Sequence, residues 1–345
     1  MSRLAHVFRA QAEHFEALGS PLYARLAERL ADDPGPARSL VGDDERWDVP
    51  LRLFAAVHYL VLAGVAPDAL SGRFEDFAVA LSEHEAELRS RVETHGVQTN
   101  EVQRCTMLLP TFLAASTAAG LPLELIELGP SAGLNLLVDR YRYRYENGTC
   151  GPADALLELT TEEKPGGSVP ASLLADELVV RRRRGIDLLP IDATTAEGYL
   201  LLRSFVWPGL DERVARLGAA VETLRRMPER PELVAGDYTA VLPGLLADRP
   251  ADALTVVFET FSTVYLPEDA ALELAEALES AGADGRPLAW ASVRRWDLGA
   301  GTDAAFELEL RVWPGPAQVV ARVDPHGNTL DWRLHRAEER ARDTA

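Results

Sequence analysis

The run Leu123-Glu124-Leu125-Ile126-Glu127-Leu128 stops at Gly129, and after Pro130-Ser131-Ala132-Gly133 a helical pattern spans 134–145. Six residues are too few for an ordinary helix, and the glycine that ends them marks a strand turning into a helix. In an open α/β sheet, ligands bind beyond the carboxyl ends of the strands, where such turns lie. A chain organised around this turn must supply further strands beside it and helices to cover both faces.

The remaining sequence has that form. Short strand-like runs recur at 178–187, 232–234, 254–258 and 287–293, separated by helical patterns at 199–205, 211–226, 240–247 and 268–281. Strands alternating with helices predict a mostly parallel sheet, and 156–160 reads as an extra strand. The tail changes character: 306–313, 318–323 and 329–334 are joined through Pro314-Gly315-Pro316 and Asp324-Pro325-His326-Gly327-Asn328, which predicts a reversed hairpin. Residues 1 to about 120 instead read as helices throughout. Leu4, Val7, Phe8, Phe15 and Leu18 recur at helical spacing, with Gln11 the polar gap, and Pro21 opens a helix over 22–30. Residues 51–64 form a strongly apolar helix, and Phe77, Leu81, Glu85 and Leu88 trace one face of 74–92. Another helix covers 103–119, with Gly120 as its cap. The expected architecture is α/β: an all-helical N-terminal cap over 1–105 and a core over 106–345 holding a Rossmann-like sheet, mostly parallel, with a reversed C-terminal hairpin.

Of 345 residues, 54 are acidic and 35 basic, a formal net charge of −19. Phosphate backbones need clustered Lys and Arg, so a nucleic-acid partner is not expected. Cys105 and Cys150 are the only cysteines; they frame no disulfide scaffold and no zinc spacing, so no metal is expected. The N-terminus lacks the apolar segment of a signal peptide, and no apolar run is long enough to span a membrane. These readings together predict a cytoplasmic protein that acts on a small molecule, without a membrane partner.

The spacing of the turn separates two nucleotide-type ligands. A dinucleotide fingerprint needs glycines at relative positions 1, 3 and 6, here Gly129, Ser131 and Leu134. One match in three disfavours a nicotinamide-dependent oxidoreductase. Rossmann-like enzymes of S-adenosylmethionine favour an acid followed by glycines at two-residue steps, which reads Glu127, Gly129, Ser131 and Gly133. Without a Cβ at 129 and 133, backbone can approach the methionine part of that cofactor. Glu127 would then reach its amino group, directly or through water, and Asn135, in the first turn of the helix that follows, is expected in the same cofactor site. Asp187 ends the next strand, placed for ribose hydroxyls, with Asp192 a rival; Asp237 follows the third strand, where the adenine amine finds a partner. A turn residue at 187 and an N-cap at 237 are the plainer alternatives.

Methyl transfer asks for alignment of nucleophile and sulfonium, and sometimes for a base. Asn100, Glu101 and Arg104 are the candidates, though Thr99-Asn100-Glu101 equally reads as a helix cap. His58, among apolar neighbours, reads as a satisfied core histidine. Arg140 to Tyr145 alternate base and aromatic; on a helix they cover the whole surface and make no stacking stripe. The run Arg181-Arg182-Arg183-Arg184 reads as a solvated strand whose stems cover apolar surface, and Trp207-Pro208 as a packed helix end.

Five segments carry a family resemblance. They are Val97-Gln98-Thr99-Asn100-Glu101-Val102-Gln103-Arg104; Glu127-Leu128-Gly129 to Asn135 with Asp139-Arg140-Tyr141; Arg184-Gly185-Ile186-Asp187-Leu188-Leu189-Pro190-Ile191-Asp192; Phe205-Val206-Trp207-Pro208; and Val256-Val257-Phe258 before Tyr265-Leu266-Pro267. Over essentially its full length the chain resembles the bacterial domain-of-unknown-function 2332 family. Its second part looks like a class I methyltransferase core, whose sheet characteristically ends in a reversed strand, and the resemblance implies S-adenosylmethionine as cofactor. Phe258-Glu259-Thr260-Phe261 lacks the Asn/Asp-Pro-Pro-aromatic signature of enzymes that methylate amino groups of bases or glutamine. The expected activity is S-adenosylmethionine-dependent methyl transfer to a small molecule. The alternative is a catalytically silent protein that uses the fold to bind a nucleoside-type ligand or a protein partner.

Overall fold

The structure, a computed structural model, describes residues 2–295 and 306–334. Seven helices come first: α1 (Arg3–Ala17), α2 (Pro21–Asp32), α3 (Gly35–Val41), α4 (Val49–Leu62), α5 (Phe74–Glu83), α6 (Glu85–Thr94) and α7 (Cys105–Ala119). Strands β1 (Leu123–Leu128), β2 (Arg142–Tyr145), β3 (Gly148–Cys150), β4 (Glu158–Thr160) and β5 (Glu162–Glu163) follow, then α8 (Ala171–Leu174) and β6 (Val180–Asp187). The chain continues through α9 (Ala196–Ser204), α10 (Asp211–Arg226), β7 (Glu232–Ala235), α11 (Tyr238–Ala247), β8 (Leu254–Phe258) and α12 (Glu268–Gly282). It ends in β9 (Leu288–Arg295), β10 (Phe306–Val312), β11 (Ala317–Val323) and β12 (Thr329–Trp332). Two compact units result: Met1–Asn100 with Asp192–Gly218, and Glu101–Ile191 with Ala219–Ala345. The first is discontinuous in sequence, a feature that hydropathy does not reveal.

The first unit is helical among its described residues, as the periodicity predicts. Ser2 caps α1 by accepting from Ala5 N (3.2 Å), and Pro21 takes the first turn of α2, where its missing N–H goes unneeded. Phe15 anchors an aromatic cluster, with edge contacts to Tyr23, Phe54 and Trp207 at 5.3, 5.4 and 4.7 Å. Arg52 is buried within α4, where it pairs with Asp48 (3.1 Å) and Asp44 (2.6 Å) and donates to Val92 O. His58 is the satisfied core histidine expected: its Nδ1 meets Ser204 O at 3.1 Å, and burial pushes its pKa down to about 4. The helix expected over 74–92 is instead two, because His84 leaves helical geometry (φ −112), and α6 then packs against α3 and α4.

The second unit is mixed α/β around a nine-stranded sheet in the order β5-β12-β11-β10-β9-β8-β1-β6-β7. The five strands from β7 to β9 are mutually parallel, and β10, β11 and β12 follow as an antiparallel meander. Four of the six residues of β1 are Leu or Ile, because both its faces are covered. On one side Ile126, Leu128, Ile186 and Val257 pack against Leu242 and Leu246 of α11 and Leu274 and Leu278 of α12. On the other, Phe112 of α7 meets Phe258 edge-on at 5.0 Å. Strands succeed β1 in both directions, β6 and β7 on one side and β8 and β9 on the other, so the order reverses between β1 and β8.

The segment 134–145 departs from its helical expectation. A 3-10 turn (Asn135–Arg140) leads into β2, which forms a separate three-stranded sheet in the order β3-β2-β4; β4 lies within the expected extra strand at 156–160. The alternation Arg142-Tyr143-Arg144-Tyr145 has a period of two, which buries both tyrosines and turns the arginines outward. The tyrosine hydroxyls lock the segment by donating to backbone: Tyr141 to Leu134 O (2.8 Å), Tyr143 to Val138 O (2.6 Å) and Tyr145 to Thr106 O (2.8 Å).

Candidate ligand site at the switch point

Ligands of open α/β sheets bind where the strand order reverses, beyond the carboxyl ends of the strands. Here the strand order reverses between β1 and β8. Glu127, one residue before the end of β1, is flanked in register by Gly185 of β6 and Phe258 of β8. It is 2% exposed. Its Oε1 accepts from Asn135 Nδ2 (3.1 Å), while its Oε2 is buried without a hydrogen-bond partner. Burial pushes its pKa up to about 8, against the pull of the Asn135 amide and the Arg104 guanidinium. A desolvated carboxyl oxygen with nothing to bond is what a ligand's donor would satisfy.

The turn after β1 is held in left-handed geometry at Gly129 (φ 69), Ser131 (φ 55) and Gly133 (φ 71). Ser131 pays steric strain there that glycine would not. Asp187 enforces it, because its Oδ2 accepts from Ser131 N (2.8 Å) and its Oδ1 from Leu189 N (2.9 Å), and Ile191 N donates to Ser131 O (3.0 Å). Asp187 therefore builds the turn, and each oxygen has a second lone pair beyond those bonds. The buried Ser131 Oγ has no partner. The two glycines answer first to the chain's own packing. A Cβ at Gly129 would lie 2.5 Å from Ser262 Cβ, and one at Gly133 would lie 3.0 Å from Leu233.

The other sequence candidates divide. Asn135 belongs to the site as a support, taking Glu127 on one side and Cys105 Sγ (3.5 Å) on the other. Asp237 caps α11 through Thr239 N (2.9 Å). Asp192 falls in the helical unit, where it accepts from Thr194 N (2.9 Å). Asn100 falls there too, its N–H on Gln98 O (3.0 Å). Glu101 caps a 3-10 turn by accepting from Gln103 N (3.1 Å). Arg104 donates to Thr260 O (3.2 Å) and Pro325 O (2.9 Å) and lies 4.7 Å over the Phe261 ring. Gln103 Nε2 adds bonds to Thr160 O and Gly327 O. The Glu101 to Arg104 segment thus clamps the exit of β8, the end of β4 and the β11–β12 turn together.

The family described as uncharacterised proteins conserved in bacteria (DUF2332) matches residues 5–332, a span that includes every residue of this site. The chain belongs to the DUF2332 family. Comparison with curated proteins gives no match. In this DUF2332 chain the sequence reading missed Glu259, which follows β8 as Glu127 nearly ends β1. Glu259 is fully buried, and its Oε1 accepts from Val293 N (2.9 Å) and its Oε2 from Thr263 N (3.4 Å). Burial pushes its pKa up, and its charge adds to the rise at Glu127. The signal was available, since an acid closing an apolar strand was the pattern that singled out Glu127. Among the described residues of the DUF2332 chain, no group of three or more His, Cys, Asp or Glu side chains could hold a metal. No described helix is long and apolar enough to cross a membrane.

Proposed function

We propose that the crevice between β1 and β8 binds S-adenosylmethionine and that the protein transfers its methyl group to a small molecule. The observation that carries the reading is the buried, unpartnered Oε2 of Glu127 at the switch point of the sheet. A ligand ammonium is the donor that best satisfies it, since ion pairing also favours the carboxylate form. Asp187 would offer its remaining lone pairs to ribose hydroxyls from an orientation fixed by Ser131 and Leu189. The bound cofactor supplies an electrophilic methyl on its sulfonium; the protein's part is to orient it and to exclude water. A second reading, a binding protein without turnover, draws support from Glu101 and Arg104, both of which hold the chain's own backbone.

Calorimetric titration with S-adenosylhomocysteine tests the first reading, with Glu127→Gln beside the native chain. Loss of one charge-assisted contact should weaken binding at least about tenfold. No heat at millimolar ligand, with folded protein, would overturn it. Binding without methyl transfer to any acceptor pool would favour the second reading.

A further inference from the structure

Ser262 stands where a ligand would have to meet the glycine turn. Its Oγ donates to Leu128 O (2.7 Å), and its Cβ fills the space a side chain at Gly129 would take. Just before it, Thr260 O is held by Arg104, and Phe261 sits at φ 72, a left-handed conformation that a non-glycine residue keeps only when its surroundings enforce it. Phe261 is gripped edge-on by Phe306 (4.8 Å) and by the Arg104 guanidinium. Just after it, Val264 and Tyr265 are 56% and 48% exposed, and the Thr263 amide reaches Glu259 only at 3.4 Å. The 3-10 turn Ser262–Tyr265 has no buried residue of its own. A segment with a firm base, a strained joint and little apolar burial is of the kind that opens locally while its strand stays folded.

We propose that Ser262–Tyr265 is a strap that closes the crevice in the free chain, and that a ligand displaces Ser262 from Gly129 to reach the turn. The inference rests on the reading of the crevice as a ligand site. Glycine at 129 serves both states, admitting Ser262 when the strap is shut and the ligand when it is open. Only the open fraction binds, so apparent affinity is the intrinsic affinity reduced by that fraction. Weakening the hold of Ser262 therefore tightens binding, the reverse of what removing a ligand contact would do.

Two variants and two readouts test this. Ser262→Ala deletes the bond to Leu128 O and keeps the Cβ, whereas Ser262→Gly removes both. The strap predicts tighter S-adenosylhomocysteine binding in both variants, more so for glycine, by about fivefold for the loss of one net hydrogen bond. It also predicts, without ligand, faster amide exchange at 262–265 in both variants with no change across β8. Unchanged or weaker binding in both variants overturns the proposal, and so does exchange of the strap only in step with β8. If neither native chain nor variants take up the ligand, the methyltransferase reading fails and exchange alone decides: selective opening upholds the strap, and protection equal to that of β8 overturns it.

Discussion

Glu127 ties the pH dependence of folding to the candidate site. Its carboxyl ionises near 4.5 in the unfolded chain and near 8 in the folded one, with burial as the main cause. The folded state therefore holds a proton that the unfolded state has released. The stabilisation is fully present below pH 4.5 and is lost as pH rises through 8, a change on the order of 5 kcal/mol for this one group. Glu127→Gln cannot ionise, so urea unfolding should give the native chain and the variant similar stabilities at pH 5 and a clear advantage to the variant at pH 9. Glu259 shifts the same way by its own burial in both proteins, so that part cancels in the comparison, and only its coupling to Glu127 differs. Parallel loss in the two proteins would show that Glu127 is not desolvated. Glu127 was legible because an acid interrupts an apolar run. Its setting was not, because Ser262, which bonds the next carbonyl, comes from 134 residues further along the chain, and no local pattern announces such a contact.

Strand β2 shows how a period can be misread at the scale of an element. Six alternating residues satisfy a helix only by covering its whole surface, whereas a strand sorts them cleanly into a buried tyrosine face and an outward arginine face. Tyr143→Phe leaves the Val138 carbonyl without its donor in a dry site and should cost about 1–3 kcal/mol. Arg144→Ala breaks only an exposed pair with Glu158 and should cost less than about 1 kcal/mol. Denaturant midpoints of the two variants decide the matter, and equal losses would contradict the strand. The parallel strands were easier, since β1, β8 and β9 fall on apolar runs and β6 and β7 on short runs between helical patterns. The break between α5 and α6 was not, because Leu81 and Leu88 are both buried and keep helical spacing across His84.

At the scale of the whole molecule, the direction of the strands was accessible while their order and the membership of the units were not. Alternating strands and helices fix a mostly parallel sheet, and the two turn-rich joints near the end fix its antiparallel finish. Nothing local, however, says that Asp192–Gly218 packs with the first hundred residues. That return supplies α9, whose Ser204 carbonyl meets His58, and Trp207, whose ring is set edge-on to Phe15 at the centre of the aromatic cluster. A fragment of residues 1–105 keeps α1 to α6 but loses both contacts. It would expose the apolar surface of α4 that α9 covers, and helices of this length are marginal without tertiary packing. The fragment should therefore melt broadly, with its helical signal falling gradually on heating, while the full chain unfolds cooperatively. Circular dichroism through a thermal ramp distinguishes the two: a sharp, reversible transition in 1–105 would mean that the first hundred residues hold a sufficient core of their own and that Asp192–Gly218 is an accessory to it.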